Sequence, residues 1–183
     1  MPSLRLAHSA QPRPTRYASP LELFEQEIHY IFETLQRLGA ARGDVEDLAQ
    51  ELFVVLLRNW HAVDTTRQLR PYLFGIAFRI VSSYRRRRRR ETPFAALEVE
   101  DGAAAPDANL GNKQSIDLLL AALNHVPLRR RAAIIMHELD GIPVAEVGRR
   151  LSISQFGAYA RLRKGRQELG AALRRLSKER LGR

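Results

Sequence analysis

Apolar residues recur at helical spacing through two long stretches of this chain. The first opens at Ser19-Pro20-Leu21-Glu22, with Ser at the N-cap, Pro in the first helical position and Glu closing a capping box. Phe24, Ile28, Ile31, Leu35 and Leu38 then mark one face, and Gly39 ends the helix. A second helix begins near Asp44, with the stripe Val45, Leu48, Ala49, Leu52, Phe53, Leu56 and Trp60. Its opposite side carries Glu46, Asp47, Gln50, Glu51 and Arg58. Residues 61–70 lack sustained periodicity and read as a loop. A third helix follows Pro71, with Leu73, Ile76, Ala77, Ile80 and Tyr84 inward. Phe74, Phe78 and Val81 widen its apolar face, which predicts the most buried helix of the three. Three amphipathic helices of this length make a small bundle.

The second stretch resumes at Ser115, with Leu119, Leu120 and Leu123, and stops before Pro127. Another helix spans 128–139, and Asp140-Gly141 turns the chain. Val144, Val147 and Leu151 then share a face. Gly148 inside that helix costs about 1 kcal/mol relative to Ala, which implies a close helix crossing. Ser152-Ile153-Ser154 breaks the pattern, and Ser154 is a good N-cap for the last helix. Ala158, Leu162, Gly165, Leu169, Leu173 and Leu176 form the inward stripe of that helix. Gln155, Tyr159, Arg161, Arg163, Lys164 and Arg166 are left on its other faces. A short helix, a tight turn and a second helix with a basic outer surface form a helix-turn-helix, whose second helix enters the DNA major groove. An αα-hairpin with a solvated basic face has the same periodicity. The small residue, the turn and the cap favour the DNA-binding version.

These patterns predict an all-α protein of two small helical domains. Residues 19–90 form a three-helix N-terminal bundle, and 114–183 a four-helix helix-turn-helix unit with a basic tail. Between them, residues 91–113 contain Pro93, Gly102, Pro106, Gly111, an Ala run and scattered acids, the composition of a flexible linker. Residues 1–18 carry three Arg and no acid, and read as a disordered basic arm.

Charge sharpens this division. The net +10 of the 183 residues speaks to polyanion binding and solubility, not to fold. Residues 19–84 are net −3, 85–90 are six arginines, 91–117 are net −5 and 118–183 are net +9. Cations suit a helix C-terminus, but six adjacent ones exceed what capping needs. A phosphate backbone is their natural neutralising partner.

Several classes drop out. The chain has no cysteine, so it has no disulfide and no thiolate metal site. Its five His lack metal-site spacing, and there is no Walker or dinucleotide glycine loop. No catalytic cluster stands out, and neither a metal nor a cofactor is expected. Carboxylates on 44–51 face solvent on a helix, which suits a protein-binding surface better than acid–base chemistry. No apolar run approaches the ~18 residues of a membrane span, and the N-terminus lacks a secretory signature. A cytoplasmic protein is the expectation.

The residues of both halves resemble one family. Residues 44–53, DVEDLAQELF, with Trp60 closing the helix, resemble the second conserved region of bacterial sigma factors. RPYLFGIAFRIVSSYRRRRRR is similar to the helix that follows it there. LLLAALNHVPLRRRAAIIMHELDGIPVAEVGRRLSISQFGAYARLRKGRQEL resembles their C-terminal helix-turn-helix domain. With only these two domains, the chain looks like the small extracytoplasmic-function type of the sigma-70 family. The resemblance covers about 20–84 and 115–173.

It implies a factor that directs core RNA polymerase to promoters and assists their melting. Asp47, Gln50 and Glu51 match the helix that docks on polymerase. Asn59, Arg67, Arg70, Arg79, Arg85, Arg86, Arg87 and Arg88 lie in the region that opens the minus-ten element and holds an unstacked non-template base. Ser154, Gln155, Tyr159, Arg161, Arg163, Lys164 and Arg166 lie in the unit that reads the minus-thirty-five element. The acidic segment matches the one that threads the RNA exit path, and an anti-sigma factor is the usual inhibitory partner. A helix-turn-helix regulator that binds DNA without polymerase, and a DNA-processing enzyme, are the rival readings. Departures from the family pattern are Phe156-Gly157-Ala158-Tyr159 at the recognition-helix start, and Gly75, Arg79 and Ser83 in the third helix. Ser152 replaces the usual turn Gly, so a positive φ there would be strained.

Overall fold

The computed structural model describes residues 17–91 and 110–181, and these residues contain helices and no strand. Three helices build the first half: α1 (Pro20–Leu38), α2 (Val45–Asn59) and α3 (Arg70–Glu91). Four build the second: α4 (Leu110–Asn124), α5 (Leu128–Ile134), α6 (Val144–Arg150) and α7 (Gln155–Leu181). The all-α, three-plus-four arrangement agrees with the periodicity. Most of the expected basic arm (1–16) and most of the expected linker (92–109) lie outside the described residues. No helix among the described residues is long and apolar enough to cross a membrane.

Local chemistry sets the ends of α1. Ser19 Oγ accepts the Glu22 amide at 3.1 Å. The Glu22 carboxylate reaches back to the Ala18 amide at 2.7 Å, one residue before the N-cap. Gly39, at φ 100°, terminates the helix by donating to the Leu35 and Gln36 carbonyls. The buried face of α1 is broader than one stripe: Leu23, Glu27, Tyr30, Ile31, Thr34, Leu35 and Leu38 are buried, while Phe24 and Ile28 are only half-buried. The reason is that α1 packs against α2 and α3 and also against α4 and α5.

In α2 the buried residues are Val45, Leu48, Ala49, Leu52 and Leu56. Phe53 sits at the margin, its ring centroid 4.8 Å from that of Phe24. Asp44 does not cap α2; its carboxylate accepts the Tyr84 hydroxyl at 2.5 Å instead. The expected loop contains a short 3-10 turn at Trp60–Ala62. Helix α3 buries Leu73, Phe74, Ile76, Ala77, Ile80, Val81 and Tyr84, with Phe78 only half-buried. Yet it is not the most enclosed of the three, because α1 buries as many residues over a shorter length and packs against more helices. The arginines continue it without a break to Glu91.

Two features of the second half depart from the periodicity. Helix α4 begins at Leu110, five residues before Ser115, so residues 110–113 are helical and not linker. The helix expected over 128–139 widens into a π-helical turn at Ile135–Leu139. Six consecutive residues, Arg131 to Met136, are buried where the turn begins, more than one stripe of an α-helix holds.

The halves meet along a polar seam on α1. Arg131 of α5 is wholly buried and donates to Leu38 O and Asn124 Oδ1, both at 2.8 Å, and to Val126 O at 3.1 and 3.2 Å. Tyr30 donates its hydroxyl to Asp140 Oδ2 at 2.9 Å, and Arg42 pairs with Asp117. Gly39 is enclosed there: a Cβ would strike the guanidinium nitrogens of Arg131 and Arg85. Its left-handed backbone adds a second obstacle to any side chain. Gly39→Ala is therefore expected to lower stability by roughly 1–3 kcal/mol, measured by urea denaturation. A neutral substitution would mean the seam yields at no cost.

Candidate functional site

The exposed polar side of α2 and the basic end of α3 lie side by side. Asp47, Gln50 and Glu51 are all exposed, and the α2 core residues point the other way. Successive side chains of α3 turn about 100° around its axis, so six adjacent arginines cannot face one way. Arg87 comes within 3.7 Å of Glu51. Arg88 donates to the Tyr84 hydroxyl at 2.8 Å and stands 3.8 Å from Asp44. Asp44, Asp47, Leu48, Glu51, Tyr84, Arg87 and Arg88 thus line one groove. The acidic polymerase-type face and the basic run, read as separate sites, touch.

Arg85 takes another direction. It is half-buried against Gly39, and burial, followed by the charge of Arg89, pushes its guanidinium below the usual arginine range. It lies in the seam beside Arg131. Arg70 is also engaged within the fold: it donates to Glu27 at 2.8 Å and lies 5.0 Å over the Tyr30 ring. That hydrogen bond raises its already high pKa. Glu27 in turn accepts the Tyr17 hydroxyl at 3.0 Å.

The remaining residues of the minus-ten set are exposed and scattered. Asn59 donates to Val55 O at 2.7 Å, at the end of α2. Arg79 folds back on its own helix, donating to Gly75 O at 3.1 Å. Arg67 pairs with Asp64 at 2.9 Å and shares a cleft with Glu146, Arg149 and Arg150 of α6. Arg86 is exposed. These side chains border the loop and α3.

The helix-turn-helix is α6, the turn and α7. Ser152 has φ 53°, the one positive φ of a non-glycine among the described residues, so the strained turn expected from the missing Gly is present. At Gly148 the close approach is made by the turn and the first residue of α7. An added Cβ would lie 3.0 Å from Ile153 O and 3.5 Å from Gln155 Cα. Ser154 Oγ accepts the Gly157 amide at 3.0 Å, so this hydroxyl caps α7. Ala158, Leu162 and Gly165 are buried, while Gln155, Tyr159, Arg163 and Lys164 are exposed.

Two of the expected DNA-facing cations are held at the side of α7. Arg166 binds Glu138, its Nε at 2.7 Å. Arg161 is half-buried, and burial followed by the charges of Arg129 and Arg130 pushes its pKa down. Arg130 itself is neutralised by two hydrogen bonds to Glu168 at 2.7 and 2.8 Å. Among the described residues the most exposed large apolar side chain is Phe156, 83% accessible, on the first turn of α7. The sequence signal for it was its place two residues before the inward Ala158, on the far side of the helix.

An acidic-faced helix, an arginine-ended helix beside it and a capped helix-turn-helix make a two-domain, DNA-binding transcription factor. Residues 23–91 match Sigma-70 region 2, and residues 116–179 match Sigma-70, region 4. The chain is 30% identical over 147 residues to the ECF RNA polymerase sigma factor SigF of Caulobacter vibrioides, covering 77% of each. It is 31% identical over 151 residues to ECF RNA polymerase sigma factor ShbA of Streptomyces griseus, covering 74% of this chain and 79% of that one. Its fold resembles that of the sigma factor RpoE from Bartonella quintana, solved with the anti-sigma factor NepR. There the TM-score is 0.65 at 21% identity, over 82% of this chain and 96% of that one. CnrH, solved with the cytosolic domain of CnrY, gives 0.59 at 20% identity, over 84% and 86%.

The chain belongs to the sigma-70 family and, within it, to the extracytoplasmic-function sigma factors. It directs RNA polymerase to promoters for the initiation of transcription.

Proposed function

We propose a division of this activity among three surfaces. Asp47, Gln50 and Glu51 on α2 dock on core RNA polymerase. The loop after α2 and the outer side of α3, through Asn59, Arg67, Arg79 and Arg86 to Arg88, hold promoter DNA at the minus-ten element and assist its melting. The exposed side of α7, through Gln155, Tyr159, Arg163 and Lys164, reads the minus-thirty-five element. Arg70 and Arg166 border these surfaces, exposed but paired with Glu27 and Glu138, Ser154 caps α7, and Arg85 and Arg161 are half-buried behind them. The protein works in the cytoplasm without catalytic chemistry of its own. An anti-sigma factor, of the kind solved with the Bartonella quintana sigma factor RpoE, is its expected inhibitory partner.

The observation that carries this reading is the exposed acidic patch on α2, which the core of that helix does not use. It is tested by co-purification of the full chain with core polymerase and run-off transcription from selected promoters. A chain that binds promoter duplex but never assembles with core polymerase would favour a polymerase-independent regulator.

The arginine run should matter for opening more than for folding. Changing Arg86, Arg87, Arg88 and Arg89 to Gln removes two exposed ion pairs and the Arg88 hydrogen bond to the Tyr84 hydroxyl, each contributing at most about 1 kcal/mol. Thermal stability should move by only a few degrees, on the order of the change such a loss implies. Permanganate footprinting of the holoenzyme should show reduced reactivity of minus-ten thymines, because phosphate neutralisation is lost. Normal opening would remove the run from promoter melting, and a collapsed fold would make it structural. Arg85 is left out of this variant because it belongs to the seam.

A further inference from the structure

We propose that Phe156 reads a thymine C5-methyl group in the duplex bound by α7, and so sets part of this protein's promoter preference. The inference rests on the reading that α7 enters the major groove, and goes beyond it by naming a residue and the base it recognises. Phe156 is 83% exposed, and no core contact requires it. Its neighbour Ala158 is fully buried, and Leu162 nearly so, on the opposite side of the helix. Helical geometry places Phe156, Ala160, Arg163 and Gln167 along one outward strip, with Tyr159 beside it, 55% exposed. All of these side chains are exposed.

The strip therefore opens with aromatic and small side chains and passes to cations. The N-terminal residues of a recognition helix are those that meet base edges. A phenyl ring has no donor or acceptor, so it neither binds phosphate nor reads a purine by hydrogen bonds. The apolar feature a base pair presents in the major groove is the thymine methyl. The backbone at Phe156 is held in place, because Ser154 caps the next residue, Gly157, at 3.0 Å. Arg161, Arg163 and Lys164 on the same helix, with Arg129 beside it, favour a polyanion over an apolar protein partner.

The test uses the full chain and duplexes selected by it from a randomised library. Each thymine of a selected duplex is replaced in turn by deoxyuridine, which deletes one methyl and leaves base pairing intact. For the wild type, one replacement should weaken binding about fourfold, the effect of leaving one methyl-sized contact unmade. Phe156→Ala should bind the thymine duplex correspondingly more weakly and become indifferent to that replacement, yet stay sensitive to guanine changes. Phe156→Leu should recover part of the discrimination. Sequence-specific binding in which no uracil replacement matters would overturn the role of Phe156 and leave the α7 reading intact. Failure to enrich any duplex would instead overturn the α7 reading, and this proposal with it. If Phe156→Ala left DNA selection unchanged and lost core polymerase, the ring would be a protein contact and the proposal wrong.

Discussion

Changing Asp47 and Glu51 together to Lys is expected to abolish assembly with core RNA polymerase while the chain stays folded. Both carboxylates are exposed on α2, and the buried residues of that helix are Val45, Leu48, Ala49, Leu52 and Leu56. The double change reverses four units of charge on one face, turning complementarity with a cationic partner into repulsion. A loss of at least 100-fold in affinity, roughly 3 kcal/mol, is expected in a pull-down titration. The cost to the fold is smaller. Glu51 loses an exposed pair with Arg87, worth at most about 1 kcal/mol. Asp47 lies in the first turn of α2, where a cation forfeits about 0.3–1 kcal/mol against the helix dipole. Asp47→Asn with Glu51→Gln should bind with intermediate affinity. A folded Lys variant with wild-type affinity would remove α2 as the docking surface.

Arg131→Ala should have the largest effect on stability. This guanidinium is wholly buried, and its hydrogen-bond partners are the carbonyls of Leu38 and Val126 and the side chain of Asn124. Leu38 is the last residue of α1, where the helix dipole favours a cation. Burial, followed by the nearby charge of Arg85, pushes the Arg131 pKa down to about 9, so the group is still charged at neutral pH. Truncation leaves buried acceptors without donors and opens a cavity across the seam. Together these cost about 3–5 kcal/mol. At about 2–4 °C per kcal/mol for a chain of this size, the melting temperature should fall by about 6–20 °C. Arg131→Lys should not restore it, because one ammonium cannot reproduce the planar fork that reaches several acceptors. Small-angle scattering should show a larger radius of gyration if the halves part before they unfold. A loss below about 1 kcal/mol would mean that the seam is held by other contacts.

What the sequence determined by itself is the set of elements that local chemistry controls. Ser19, Pro20 and Gly39 mark the ends of α1 because caps act within four residues of a terminus. The helix-turn-helix was legible for the same reason: Ser154 caps α7, and Gly148 makes room for the turn after it. The acidic face of α2 was legible because its exposed residues are those its own periodicity leaves outside. The tertiary structure alone decided which cations remain available. Arg70 is held by Glu27, 43 residues away, and Arg131 by Leu38, 93 residues away. Tyr30 and Asp140, 110 residues apart, complete the seam. No local period carries information about a partner at such separations. A helix buried on two sides also takes polar residues into its interior, as α1 does with Glu27 and Thr34. A single apolar stripe describes a helix with one neighbour, and α1 and α5 have several, because the second half of the chain packs against the first.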